Sequence, residues 1–226
     1  MLDFVIVVAG ILIAFQIANW SEARTIAQKE GQLIARLASD LESMREGFKR
    51  DDTILLPIHD GWVHAFRALE TCKVTEAHSE SINFAFSQYQ RSFSPSIHRA
   101  AFDEMQSTGA FSRLPDEELQ NELTTLYSQL DGTTAALLGG RNNQLAAGRI
   151  MWKYIAFSFA EEKSYTADTD TWGTAAFNPL DHCDNLELRG AIWEMVDTNR
   201  DNLNVNLTYV NQIDRILLRL QEQQSK

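Results

Sequence analysis

An all-α fold, with an N-terminal transmembrane helix continuing into an antiparallel helical bundle, is what the sequence predicts, and three observations predict it. The stretch FVIVVAGILIAF is apolar without a break, and no later segment is as apolar over a comparable length. Apolar residues then recur at spacings of three and four along most of the chain, which is the helical period. Only four prolines and eleven glycines interrupt 226 residues, which favours long helices over many turns. The expected division is an anchor, residues 1–20, and one extramembrane bundle domain, residues 21–226, large enough to bury a core unaided.

The anchor consists of Phe4, Val5, Ile6, Val7, Val8, Ala9, Gly10, Ile11, Leu12, Ile13, Ala14 and Phe15, with Trp20 at its far end. Met1, Leu2, Ile17 and Ala18 extend it to about 20 residues, which at 1.5 Å each crosses a hydrocarbon layer of roughly 30 Å. Asp3 bounds one end; Gln16, Asn19 and Trp20 bound the other, and tryptophan favours the headgroup level. A buried core helix is the main alternative, because the strictly unbroken run is shorter than a full span. A cleaved signal peptide would carry Lys or Arg before the run and a small-x-small site after it, and the sequence shows neither. A helix lying flat on the interface needs a polar face, and positions 4–15 have none.

The balance is acidic, 31 Asp and Glu against 20 Lys and Arg, a net charge of −11. That argues against nucleic acid as a partner and against an electrostatic grip on anionic lipid, since both need basic patches. Cys72 and Cys183 are the only cysteines. They are candidates for one disulfide if the domain faces an oxidising compartment; two unrelated, small buried side chains are the commoner situation. No CxxC or Cys/His spacing suits a structural zinc site.

Past Trp20 the pattern is helical almost at once. Ile34, Leu37, Leu41, Met44, Phe48 and Leu55 form one stripe, so the anchor and this helix are expected to make a continuous rod. A stripe of this kind packs within its own domain more often than it self-associates, and Asp51 weakens a coiled-coil homo-oligomer further. Pro57 should end or kink the rod. Ile58, Trp62, Phe66 and Leu69 mark a second helical stretch. Ile82, Phe84, Phe86, Tyr89 and Phe93 mark a helix or an irregular packing segment. Ser94 before Pro95 reads as a cap and first helical residue, with Ile97, Ala101 and Met105 on one face and Gly109 as a left-handed stop.

Pro115 should open the next helix, with Asp116, Glu117 and Glu118 at the favourable end of its dipole. Leu119, Leu123, Leu126, Tyr127 and Leu130 form its stripe and Gly132 its end. A further helix is expected over 133–159, with Leu137, Leu145, Met151, Tyr154 and Ile155 inward and Gly139 and Gly140 bending it. Residues 161–185 read as the longest loop, 186–196 as a short helix. Leu203, Leu207, Val210, Ile213, Leu217 and Leu220 define a closing helix.

Chemistry is hard to find. Asp168, Asp170 and Gly173 echo a calcium loop, but Trp172 and Pro179 stand where oxygen ligands belong; Asp197, Asn199 and Asp201 make a second echo, with Asn202 at the glycine place and Thr208 at position twelve, and both read as solvated loop and cap residues. His182, Cys183 and Asp184 are sequence neighbours, a poor arrangement for a nucleophile and its base. His59, His64, His78 and His98 have no metal-ligand spacing, and no Walker, GxGxxG or GxSxG motif occurs. No catalytic, cofactor-binding or metal residue is assigned, and no enzymatic activity is expected.

Two stretches together resemble a known family. DFVIVVAGILIAFQIANWSEAR has an acid, an apolar run with a GILIA core, then Gln, Asn, Trp and Glu: Asp3, Gly10 to Ala14, Gln16, Asn19, Trp20 and Glu22. AAFDEMQSTGAFSRLPDEELQNELTTLY is similar to an aromatic, a short helix ending in Ser-x-Gly and a Leu-rich helix ending in Tyr. The family is a group of bacterial single-pass inner-membrane proteins catalogued only as a domain of unknown function. The resemblance implies an N-terminus in the cytoplasm and a periplasmic bundle. Members carry a basic stretch before the run; here Arg24, Lys29 and Arg36 follow it, so the positive-inside rule leans the other way. The family orientation is preferred.

The expected function is a membrane-anchored, non-enzymatic accessory or scaffolding subunit. It would docks in the lipid bilayer and on a larger integral-membrane complex of respiratory or photosynthetic type. The alternative is a sensory or small-ligand-binding bundle acting through a separate partner.

Overall fold

The computed structural model describes residues 2–91, 96–158 and 174–224, with side chains described at 10, 12–91, 96–137, 139–156 and 176–223. The expected rod and second helical stretch are one helix, α1, Leu2–Thr71. Pro57 lies inside it and does not end it. Its ring removes one backbone donor, but Pro57 faces solvent, where water can satisfy the carbonyl left over. Leu55, Ile58 and Trp62 around it are buried and hold the helix on course.

The alternation of Ile82, Phe84 and Phe86 belongs to a helix, α2, Glu76–Ser87. Thr75 caps it by accepting from the His78 N–H, and Ile82, Ala85 and Phe86 are its buried face. The expected cap Ser94–Pro95 lies outside the described residues. Residues 96–99 are not helical, and α3 spans only Ala100–Ser107. Its early N–H at Ala101 donates to Asp40 Oδ2 of α1 at 3.3 Å. Gly109 follows α3 with φ of +72°, the left-handed stop its position called for.

α4 spans Glu117–Met151, so it opens two residues after Pro115, with Asp116 as its cap rather than part of its first turn. Asp116 Oδ1 accepts from the N–H groups of Glu118 and Leu119 at 3.0 and 3.1 Å. The Leu119 N–H is the main reason its carboxyl sits below the usual carboxylate range. Gly132, Gly139 and Gly140 all lie inside α4, so the expected stop at Gly132 is not made. A helical glycine costs about 1 kcal/mol relative to alanine, which a helix held by buried residues on both sides absorbs. Here those are Leu126, Tyr127 and Leu130 before it and Ala147 and Met151 after it.

The helix expected to reach residue 159 ends at Met151. Ala156–Ser158 (β1) instead pairs antiparallel with Thr174–Ala176 (β2), with Ala156 opposite Ala176. Such a partner, distant in sequence, leaves no local trace. The two C-terminal helices expected are one, α5, Leu186–Gln224. The described chain is otherwise all-α.

The chain forms two compact units. The first comprises Met1–Ser43, His98–Thr124 and Arg215–Lys226; the second comprises Met44–Ile97 and Thr125–Asp214. The region read as one bundle, 21–226, therefore contributes to both. In the first unit Leu33, Leu37, Leu41, Phe102, Met105, Leu119, Leu123, Ile216 and Leu220 are buried. Arg219 answers the acidic start of α4, 2.8 Å from Glu118 and 3.1 Å from Glu122.

The second unit is built around Trp62, fully buried, whose ring meets Phe86 edge-on at 4.8 Å. Gly61 lets α2 approach that closely: a Cβ there would stand 2.2 Å from the Ser81 carbonyl oxygen and 2.6 Å from Ala85 Cβ. Gly61→Ala is therefore expected to destabilise the unit by about 2 kcal/mol, because the obstacle is backbone. Urea unfolding checks it; an unchanged midpoint would show that α2 does not sit on α1.

Asn206 in α5 is fully buried, and its Nδ2 donates to Asp52 Oδ1 at 2.7 Å. Asn206→Ala leaves that carboxylate short of a donor, with an expected cost of about 1–2 kcal/mol. Asn206→Asp should cost more at pH 7, where two carboxylates would face each other. Thermal unfolding at pH 7 separates the two variants.

Candidate functional site

Two features fall outside the packing logic of the units: the apolar N-terminal segment and the disulfide. Gly10 and every residue from Leu12 to Trp20 is exposed. Leu12, Ile13, Phe15, Ile17 and Trp20 are each 60 to 65% exposed. Successive residues turn by about 100°, so an exposed run of this length presents apolar surface on all sides. α1 first becomes part-buried at Glu30 and fully buried at Leu33. Trp20 closes the segment with the Arg24 guanidinium over its ring at 5.6 Å, a pairing of apolar body and charged head suited to an interface.

Among the described residues no helix is long and apolar enough to cross a membrane. The side chains of Phe4 to Ala9 and of Ile11, the larger part of the predicted anchor, lie outside them.

Cys72 and Cys183 are joined in a disulfide, with Cα atoms 5.4 Å apart across 111 residues. Of the two readings the sequence left open, the paired one is the one found. Cys72 is the residue after α1 and has φ of +54°, the left-handed conformation that usually asks for glycine at a helix end. Cys183 follows the 3-10 turn Pro179–His182, whose Asn178 side chain accepts from the Leu180 N–H. The bond thus ties the end of α1 to the segment that leads into α5. With its sulfur committed, Cys183 is no nucleophile beside His182. That histidine instead stacks on Phe177 and meets Tyr154 edge-on.

The structure places several of the other sequence candidates. Asp197, Asn199 and Asp201 lie within α5: Asn199 is buried and donates to the Met195 carbonyl, and Asp197 pairs with Arg200. The Asp168–Gly173 echo lies outside the described residues. His59 is 3.6 Å from Asp60. Among the described residues no three His, Cys, Asp or Glu side chains converge as a metal site. Burial pushes the Asp51 carboxyl up, with Asp52 adding to the shift and Arg50 and Arg91 opposing it.

What sequence reasoning missed is a histidine pair. His64 of α1 and His78 of α2 stack with ring centroids 4.1 Å apart and planes 20° from parallel. Fourteen residues and a helix reversal separate them, so no spacing rule could have joined them. The described grooves are open. One of about 460 Å³ is walled by Lys29, Arg36 and Arg113; one of about 390 Å³ lies by Tyr89, Leu145 and Trp152; one of about 490 Å³ lies by Thr133, Asn204 and Tyr209. In the first, Arg36 and Arg113 are paired with Glu104 and Glu30.

No protein-family model, curated protein or solved structure matches the chain.

Proposed function

We propose that the chain is a bacterial inner-membrane protein anchored by its first twenty residues. On this reading its helical body stands on the oxidising, periplasmic side and serves a larger integral-membrane complex as a non-enzymatic accessory subunit. The observation that carries the reading is the all-round exposure of Leu12, Ile13, Phe15, Ile17 and Trp20. Five large apolar side chains in nine residues, uncovered by their own chain, need another apolar phase. Lipid tails fit better than a protein groove, because a groove covers one face and this segment is apolar on every face. The resemblance of the same residues to single-pass membrane proteins points the same way.

The disulfide favours one of the two orientations. Structural disulfides persist in the periplasm and are rare in the reducing cytosol. That outweighs the three basic residues after the anchor, and it agrees with the orientation that the family resemblance implies.

On this reading the function lies with a host complex of respiratory or photosynthetic type; among the described residues of the body no His, Cys, Asp or Glu side chains converge as a metal site. Native-gel mass spectrometry of mildly solubilised membranes tests this. Co-migration with one multi-subunit complex is the expected result. Migration as a solitary monomer at native abundance would overturn the accessory role while leaving the anchor standing.

A further inference from the structure

The stacked histidines join α1 to α2. Gly61, Ala65 and Ala85 bring the two helices together, and His64 and His78 lie at the rim of that contact. His64 is part-buried, and its Nδ1 is 2.8 Å from Ser81 Oγ. The Ser81 hydroxyl donates to the His78 carbonyl at 3.0 Å, so its oxygen receives the His64 Nδ1–H. One imidazole is thereby fixed flat against the other. His78 stands in the first turn of α2, where the helix dipole disfavours a cation.

We propose that the His64–His78 stack is an acid-sensitive latch that holds the first turn of α2 on α1 and lets it go when both rings are protonated. A neutral pair stacks well, and a singly charged pair still does, since an imidazolium is attracted to a neutral ring. Two cations at 4.1 Å repel; His64 is part-buried and tied to Ser81, so the repulsion falls on the exposed His78 and the turn that carries it.

The charged groups acting on His64 are Asp60 and Arg67 of α1 and His78 of α2; α2 also carries Glu76 and Glu80. Burial is the largest influence and disfavours the His64 cation; His78 and Arg67 add to it, and Asp60 opposes them. A histidine held below its usual value of about 6.5 takes its proton more readily when the contact is open. The contact is therefore at full strength above about pH 6.5 and weakens as the pH falls below it. Ile82, Ala85 and Phe86 are buried in the core, and Asn83 Oδ1 accepts from the Phe177 N–H, so the second half of α2 stays docked. The latch stands on this geometry alone; only its use as a sensor of external acidity rests on the periplasmic placement proposed above.

Amide hydrogen exchange on the full-length protein in detergent micelles tests it, at pH 7.5 and 5.5, corrected for the intrinsic pH dependence of exchange. Peptides covering 76–81 should lose about tenfold protection at pH 5.5, while those covering 44–58 do not change. His78→Gln and His64→Gln should each abolish that loss. His59→Gln and His182→Gln should leave it in place. Equal protection of 76–81 at both pH values in the unsubstituted protein would overturn the proposal. So would a loss that survives in His78→Gln, or one that disappears in His182→Gln.

Discussion

Reducing the Cys72–Cys183 bond is expected to lower the stability of the second unit by about 3 kcal/mol, with the midpoint of thermal unfolding falling by about 6–12 °C. The bond closes a span of 111 residues, and cross-linking so long a loop removes a large share of the unfolded chain's freedom. A second contribution is local. Cys72 holds a left-handed backbone that a residue with a Cβ resists. Once the bond is gone, nothing covalent compels that conformation.

The two contributions separate by substitution. Cys72→Gly with Cys183→Ser loses the cross-link but relaxes the backbone, whereas Cys72→Ala with Cys183→Ser loses both. The glycine form should be the more stable of the two by about 1 kcal/mol. Calorimetry with and without reductant measures the first effect, and the pair of variants measures the second. Alkylation of the protein in intact membranes, without prior reduction, is expected to add no label. Labelling of both cysteines would place the body on the reducing side and overturn the orientation.

A charge at the centre of the exposed apolar segment is expected to have the other large effect. Ile13→Arg should cost about 2.5–3.5 kcal/mol of membrane insertion, enough to move most of the protein from the carbonate-resistant pellet to the supernatant. Leu207→Arg is the matched control. Leu207 is 57% exposed on α5, close to the 61% of Ile13, but on the proposed reading it belongs to the extramembrane body, so its substitution should leave fractionation unchanged. If the unsubstituted protein is itself extracted by alkaline carbonate, the anchor is wrong whatever the variants do. Placing two positively charged side chains, at 13 and 17, should only deepen the effect.

The helices illustrate how far local pattern reaches. The stripe Leu37, Leu41, Met44 and Phe48 is buried where its period puts it, and so is that of Leu119, Leu123, Leu126 and Leu130. Where such stripes stop proved less readable. Pro57 and Gly132 are breakers only if the surrounding helix has little to hold it together, and here buried neighbours on either side outweigh one lost hydrogen bond or one flexible residue. Gly109 does end its helix, because α3 is eight residues long. The start of α3 was misplaced for a related reason: its N–H at Ala101 is met by Asp40, sixty-one residues away.

The sequence by itself determined that this chain is helical, that its body is acidic with an apolar stripe on each long helix, and that its first twenty residues are unlike the rest. Those are properties of composition and short-range period, which the backbone geometry converts directly into structure. The tertiary structure alone decided that Cys72 meets Cys183, that His64 stacks on His78 and that Asn206 answers Asp52. Each of these joins positions on different elements. Which face of one helix meets which face of another depends on the packing of every side chain between them, and no local pattern carries that information.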